Sequence, residues 1–153
     1  MGHKDMSRDA LRRGRYSASG QLYHITTCTH ERRPLFADAT CARLVIGHMR
    51  NLHDDRRLSS LAWVLMPDHL HWLFAPGEGA TLSGVVKRFK GRSAAGLRPA
   101  TGPGPVWQRG FHDHALRHDE DVQAIARYIV ANPLRAGLVG RVGDYPWWDA
   151  VWL

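Results

Sequence analysis

The stretch that decides the fold is MPDHLHWLFA, residues 66–75. Polar and apolar residues alternate through it, which is typical of a β-strand with one polar and one buried face. His69 and His71 are therefore predicted to lie on one face, and Leu70 and Trp72 on the other. The strand holds two imidazoles side by side on one rigid surface.

The flanking segments extend this β-structure. Residues 58–66 read as a second strand, and the turn residues Pro67 and Asp68 make the two strands a hairpin or close neighbours. A further strand is predicted at residues 22–29, which are rich in β-branched and aromatic side chains. A fourth strand is expected within residues 106–117.

Three helices are predicted between and after these strands, because apolar residues recur there at helical spacing. The second helix is amphipathic and carries a basic outer side, and a loop rich in proline and glycine follows it at residues 98–105. Pro133 is expected to stop the last helix. The predicted helices start near Asp38, Thr81 and Asp119 and end near Asp54, Arg98 and Asn132.

The resulting order is β-α-β-β-α-β-α. With a small antiparallel sheet and helices on one face, it matches the ferredoxin-like split βαβ plan of α+β proteins. A chain of 153 residues has room for one domain, and 44% hydrophobic with 23% charged residues is a globular composition. We divide the chain into a basic N-terminal arm, residues 1–19, and a single domain, residues 20–153.

The charge of the chain indicates a polyanionic partner. Its 21 basic and 14 acidic side chains give a net charge of +7, and the pI is about 10.1. Nucleic acid is the leading candidate partner, although basic runs are more often solvated surface. The residues predicted to contact DNA phosphates are Arg12, Arg13, Arg15, Lys87, Arg88, Lys90 and Arg92.

The sequence also argues against membrane insertion, export and cysteine-based sites. The uncharged apolar stretch at residues 58–67 has about half of the roughly 20 residues that a membrane-spanning helix needs. The charged N-terminus lacks the apolar segment of a secretory signal, so a cytoplasmic protein is expected. Two cysteines, Cys28 and Cys41, are too few for a four-cysteine zinc site.

Several polar residues could carry chemistry. A His-x-His pair on a strand can hold a metal ion, but it can equally be the polar face of a half-exposed strand. Tyr128 and Asn132 are four residues apart and share a helix face, where a core-edge tyrosine and a C-terminal asparagine are the ordinary interpretation. His112 and His114 either approach the same site or support the sheet.

Four separated motifs within residues 14–146 have the order and spacing of those in the REP-associated tyrosine transposases, which the chain therefore resembles. These proteins are relatives of the single-tyrosine HUH (IS200-like) transposases. The motifs are MPDHLHWLF, KRFKGRS, VWQRGFHDHALR and ARYIVANPLRAGLV. The resemblance implies a ferredoxin-like nuclease core and a divalent metal ion, Mg²⁺ or Mn²⁺. Residue by residue it implies His69, His71 and Asn132 as metal ligands and Tyr128 as the nucleophile.

The implied function is a metal-dependent endonuclease and strand transferase that acts on single-stranded or hairpin DNA through a covalent 5′-phosphotyrosine intermediate. The implied targets are repetitive extragenic palindromes. Two alternatives stay open: a hairpin-binding protein without cleavage activity, and a zinc hydrolase that uses a metal-bound water. Asp68 or Asp113 is expected to orient a ligand imidazole, with His112 and His114 as further candidates for that outer layer.

Two smaller expectations concern the C-terminus and the assembly. The aromatic tail, residues 145–153, is expected to dock against the sheet as a cap, with stacking on unpaired bases as the alternative. The resemblance implies a monomer, with a dimer as the alternative.

Overall fold

The structure is a computed structural model that describes residues 20–152. The predicted basic arm at residues 1–19 lies outside the described residues, and so do its candidate DNA contacts Arg12, Arg13 and Arg15. Three short 3₁₀ turns, at residues 30–32, 35–37 and 142–144, accompany the regular elements. These elements are β1 (Tyr23–Cys28), α1 (Ala39–Asp54), β2 (Leu58–Met66), β3 (His69–Pro76), α2 (Leu82–Thr101), β4 (His112–Ala115), α3 (Val122–Val130), α4 (Asn132–Arg135) and β5 (Trp148–Ala150).

The five strands form one antiparallel sheet in the order β4-β1-β3-β2-β5. The first four strands follow the order 4-1-3-2 of the ferredoxin-like plan, so the predicted fold class and element order are confirmed. The histidine-bearing strand β3 lies at the centre and is hydrogen-bonded on both sides. Its two imidazoles therefore project from the most rigid part of the sheet.

The helices cover both faces of the sheet. On one face α1 and α2 pack over a core that includes Ile25, Trp72 and Phe74. On the other face α3 packs over a second core that includes Leu73 and Ile129. The expectation that the helices share one face thus holds for α1 and α2 but not for α3. The reason is that β2 and β3 carry apolar side chains on both faces, and each face needs a cover.

Helix starts follow the capping residues. The side chain of Asp38 caps α1 and that of Thr81 caps α2, close to the predicted starts. The last helix starts at Val122, three residues later than the predicted Asp119, because Asp121 is the residue whose side chain accepts a backbone N–H of the first turn.

Helix ends depart further from the prediction. Helix α2 runs on to Thr101 and includes Pro99 in its last turn, so the loop begins later than residue 98. Helix α3 ends at Val130, and Pro133 lies in the first turn of α4, where a proline needs no N–H partner. Pro133 therefore begins a new helical turn instead of ending the helical path.

The aromatic tail docks on the sheet as predicted and also forms β5, which the sequence analysis missed. Tyr145 is buried, and its hydroxyl donates a hydrogen bond of 2.6 Å to the backbone oxygen of Leu65. Burial raises the pKa of Tyr145 to about 12. No helix in residues 20–152 is long and apolar enough to cross a membrane, and Cys28 and Cys41 are both free.

Candidate functional site

The two histidines of β3 form the centre of the candidate site. The ring centroids of His69 and His71 are 5.0 Å apart, and their planes meet at 82°. Both side chains are half-buried on the α3 side of the sheet, whereas Leu70 and Trp72 are buried among the residues of the α1 and α2 core. The predicted alternation along the strand is confirmed.

His69 is oriented by a carboxylate. Its Nδ1–H donates to Oδ1 of Asp68 at 2.7 Å, and the other Asp68 oxygen accepts from Nε of Arg32 at 2.9 Å. Burial works to raise the pKa of Asp68, but the hydrogen bonds from Arg32 and His69 outweigh it and hold that pKa below its usual value. A carboxylate on Nδ1 leaves the lone pair of His69 on Nε2, as in metal-binding histidines.

His71 is oriented by neighbours on β1. Its Nδ1 lies 3.0 Å from the hydroxyl oxygen of Thr26 and 3.1 Å from Nε2 of His24. Burial lowers the pKa of His71 to about 3, with smaller contributions from His69, His24 and Arg135, so the ring is neutral at physiological pH. A proton on Nδ1 that is donated to Thr26 or His24 leaves the lone pair on Nε2.

The sequence analysis missed Thr26 and His24. The register of β1 against β3, which pairs Thr26 directly with His71, is the signal that identifies them. That register is a long-range feature, and the residue types of a single strand do not give it.

Tyr128 and Asn132 come from the two consecutive helices on the same side of the sheet. The Tyr128 side chain is 57% exposed, and the guanidinium carbon of Arg135 lies 3.7 Å from the centroid of its ring. The positive charge of Arg135 also contributes to the lowered pKa of His71. Arg135 therefore contacts the ring of Tyr128, and its charge acts on His71.

The donors present fit a divalent metal ion. No group of three or more His, Cys, Asp or Glu side chains within residues 20–152 is arranged to hold one, so these residue types alone do not form a preformed site there. The amide nitrogen of Asn132 is buried and has no hydrogen-bond partner among the described residues. A half-turn of this amide would place Oδ1 at the buried position, where a cation would satisfy it. Two imidazoles and an amide oxygen are suitable ligands for manganese and acceptable for magnesium.

The residues predicted to orient a ligand imidazole do not all lie on the same face of the sheet. Asp113 pairs with Ile25 and lies on the face that α1 and α2 cover, so Asp68 is the candidate carboxylate that meets a ligand imidazole. His114 lies opposite His24 on the imidazole face, and its Nε2 is 3.0 Å from Glu120. Burial lowers the pKa of His24, and the charge of His114 adds to this effect.

His112 lies opposite Thr26 on the same face, and its side chain is exposed. It has no hydrogen bond to the imidazole pair in the described part of the chain. His114 acts electrostatically on His24, and Nε2 of His24 lies within hydrogen-bond distance of His71.

The basic residues of α2 lie on the opposite side of the sheet from the imidazoles. Lys87 is exposed, whereas the ammonium group of Lys90 donates to the backbone oxygens of Gln108 and Gly110. Arg88 and Arg92 line a small depression against α1. The four residues of α2 that were predicted to contact phosphate therefore have different surroundings. The ammonium group of Lys90 is already hydrogen-bonded to the loop at residues 108–110.

A groove of about 460 Å³ separates α2 from residues 105–111. Val86, Trp107 and Phe111 contribute apolar wall to it, and no carboxylate is among the residues that line it. The side chains of Lys87, Arg98 and Arg109 add positive charge, and none of them forms an ion pair within the described chain.

Comparison with known proteins identifies relatives across most of the chain. The family model described as "Transposase IS200 like" matches residues 17–132. The REP-associated tyrosine transposase of Escherichia coli K12 is 28% identical over 137 residues, which cover 86% of this chain and 78% of that protein. A putative REP-associated tyrosine transposase of Haemophilus influenzae is 40% identical over 42 residues, which are 28% of this chain and 24% of that protein.

Solved structures agree with these relatives. A REP-associated tyrosine transposase bound to a REP hairpin superposes with a TM-score of 0.72 at 25% identity, covering 87% of this chain and 78% of that one. A putative transposase of Deinococcus radiodurans shares the fold, with a TM-score of 0.55 at 22% identity over 72% of this chain and 88% of that one. The resemblance to REP-associated tyrosine transposases is confirmed, and the chain belongs to the IS200-like transposase family.

Proposed function

We propose that the protein is a metal-dependent single-strand DNA endonuclease and strand transferase that acts on hairpin DNA through Tyr128. The observation that carries the proposal is the state of the two imidazoles. Both have Nδ1 occupied by a protein partner, so both have Nε2 available on the face of the sheet against which α3 packs. A pair of ordinary surface histidines would not need a partner at each Nδ1.

His69, His71 and Asn132 are the residues that would hold Mg²⁺ or Mn²⁺. Such an ion, when bound, polarises a non-bridging oxygen of the phosphate. The chain contributes orientation: Asp68 fixes the ring of His69, and Thr26 fixes that of His71. In the neutral rings, these partners on Nδ1 leave Nε2 as the nitrogen that carries the lone pair.

Tyr128 is the nucleophile in this proposal. Its oxygen forms a bond to phosphorus while the bond from phosphorus to the 3′ oxygen breaks. The phenol proton leaves, the 3′ oxygen takes up a proton, and the products are a 5′-phosphotyrosine and a free 3′-OH. The covalent intermediate keeps the phosphodiester energy for rejoining, so no ATP is consumed. The 57% exposure of Tyr128 leaves it accessible to a DNA strand.

Hairpin DNA of the REP type is the proposed partner. The relative that superposes best in the comparison above carries a REP hairpin, and a net charge of +7 suits a polyanion. The basic groove beside α2 offers positive charge without carboxylates for a strand that extends from the hairpin. We further propose a cytoplasmic protein. We also propose that it is a monomer, because the two edge strands, β4 with 4 residues and β5 with 3, are too short to pair well with a second sheet.

The test is covalent capture of a labelled hairpin oligonucleotide with single-stranded flanks, in the presence of Mn²⁺. We expect a protein-DNA adduct that survives denaturation and is absent in Tyr128→Phe. Tyr23→Phe is the matched control, because Tyr23 packs on the α1 and α2 side of the sheet, and it should keep the adduct. Cleavage without an adduct would support the zinc hydrolase, and a mobility shift without cleavage would support the hairpin binder.

A further inference from the structure

Arg135 makes a contact that the assigned site does not use. It is the last residue of α4, and its guanidinium carbon lies 3.7 Å from the centroid of the Tyr128 ring. This distance is well inside the roughly 6 Å range of cation–π interactions. The two residues are seven positions apart, about two helical turns, so they share one side of α3 and α4 although the helices are separate. The stack joins the two helices at the tyrosine.

The charge of Arg135 has no acidic partner in the described part of the chain. Two exposed arginines near it do have one: Arg127 lies 3.9 Å from Asp121, and Arg141 lies 3.3 Å from Asp144. The positive charge of Arg135 is instead felt at His71, where it adds to the effect of burial on the pKa. A cation that stacks on the ring of Tyr128 and has no acidic partner among the described residues attracts an anion to that place.

The geometry of the guanidinium group allows it to serve two partners at once. A stacked guanidinium uses its flat face, and its N–H donors point outward in the plane of the group. Those donors match the oxygens of a phosphate, which arginine binds with two parallel hydrogen bonds. A lysine in the same place would supply charge but neither the flat face nor the paired donors.

We propose that Arg135 binds a non-bridging oxygen of the scissile phosphate while its stack on Tyr128 holds the ring in position for attack. The inference rests on the proposed function, since it names a phosphate-binding residue of that same site. A purely structural role, in which the stack only ties α4 to α3, is the competing explanation. The two explanations differ in whether the effect of Arg135 depends on the charge of the phosphate.

The experiment compares Arg135→Gln and Arg135→Lys with the native protein. Arg127→Gln is the control, because Arg127 is an exposed arginine of α3 at the neighbouring position. The substrates are two hairpin oligonucleotides that differ at the scissile position, one with a phosphodiester and one with an uncharged methylphosphonate. The rate of adduct formation is measured in single turnover with Mn²⁺, and thermal unfolding confirms that each variant is folded.

On the phosphodiester, we expect Arg135→Gln to slow adduct formation by roughly 100-fold, the usual loss when one donor to a developing charge is removed. Arg135→Lys should recover part of this loss, and Arg127→Gln should behave as the native protein. On the methylphosphonate, native protein and Arg135→Gln should differ by less than about 3-fold, because the contact needs the charged oxygen.

A binding measurement gives a readout that does not depend on cleavage. In the Tyr128→Phe background, the charged oligonucleotide should bind more tightly than the methylphosphonate, and Arg135→Gln should remove that preference. An equal loss on both substrates would make Arg135 a structural residue and overturn the inference, as would an unchanged rate in Arg135→Gln. If the native protein forms no adduct, the proposed function fails and this inference fails with it.

Discussion

Replacing Asp68 with asparagine tests whether the imidazole pair is built for a metal ion. Asp68 makes two charge-assisted hydrogen bonds, one from His69 at 2.7 Å and one from Arg32 at 2.9 Å. Asparagine keeps an oxygen that can accept from His69, but it loses the negative charge that makes the imidazole a better donor to a cation. Removal of such a partner ordinarily weakens metal binding roughly 10–100-fold.

The lower end of that range is expected here. The Asp68 side chain is 26% exposed, so water screens part of its charge. We therefore expect the Mn²⁺ dissociation constant to rise about 10-fold, which corresponds to about 1.4 kcal/mol. Titration of free Mn²⁺ by electron paramagnetic resonance measures this constant, and Asp144→Asn is the control because Asp144 pairs with Arg141 away from the imidazoles.

The outcome has a second, independent readout. Long-range nitrogen-proton correlation spectra report which nitrogen of His69 carries the proton, and Nδ1 should carry it in the native protein. An unchanged Mn²⁺ affinity in Asp68→Asn, together with an unchanged His69 tautomer, would refute the argument that this carboxylate prepares the ring.

Three further predictions concern stability, DNA binding and assembly. Tyr145→Phe should lower the free energy of unfolding by about 1–3 kcal/mol in denaturant titrations, because it leaves the buried Leu65 oxygen unpaired. Folding raises the pKa of Tyr145 to about 12, so its contribution should be complete below pH 10 and be lost between about pH 10 and 12, and Tyr145→Phe should lose this alkaline dependence. Lys87→Gln should reduce the slope of log affinity for hairpin DNA against log salt by about 0.7–0.9, whereas Arg141→Gln should leave it unchanged. Light scattering should give a monomer, and a dimer of the native chain would contradict the argument from the short edge strands β4 and β5.

Much of the fold could be predicted from local patterns. The turn at Pro67 and the capping residue Asp38 each act over a few residues, and both were interpreted correctly. The alternation holds for residues 69–72, whereas residues 73–76 are buried on both faces. The position of α3 on the opposite face could not be predicted in this way, because it depends on which face of β2 and β3 lacks a cover. The strand β5 was missed because its three residues, Trp148–Ala150, are too few to show a period.

In the candidate site, too, features set by local sequence could be predicted and features set by long-range packing could not. His69 and His71 could be placed on one face from their spacing alone. Tyr128 and Asn132 were expected on one helix, but they lie on the separate helices α3 and α4. The partners of these residues could not be found from local spacing, because Thr26 reaches His71 through strand pairing and Arg135 reaches Tyr128 across a helix break. Local periodicity gives the residues of a site, whereas pairing across elements gives the groups that orient them.

The two faces of β3 are buried to different extents, and this difference explains why the strand tolerates the polar side chains of His69 and His71. Helices α1 and α2 bury Trp72 and Phe74 of β3 on one face, and these large apolar contacts stabilise the strand. On the other face α3 has only nine residues, and its apolar side chains meet Leu73 while His69 and His71 stay half-buried. Burial of Trp72 and Phe74 therefore stabilises β3, and the imidazoles of His69 and His71 are not part of the hydrophobic core. Because α1 and α2 bury the opposite face of β3, half-buried histidines at positions 69 and 71 are tolerated on the α3 face, which keeps a core of its own around Leu73 and Ile129.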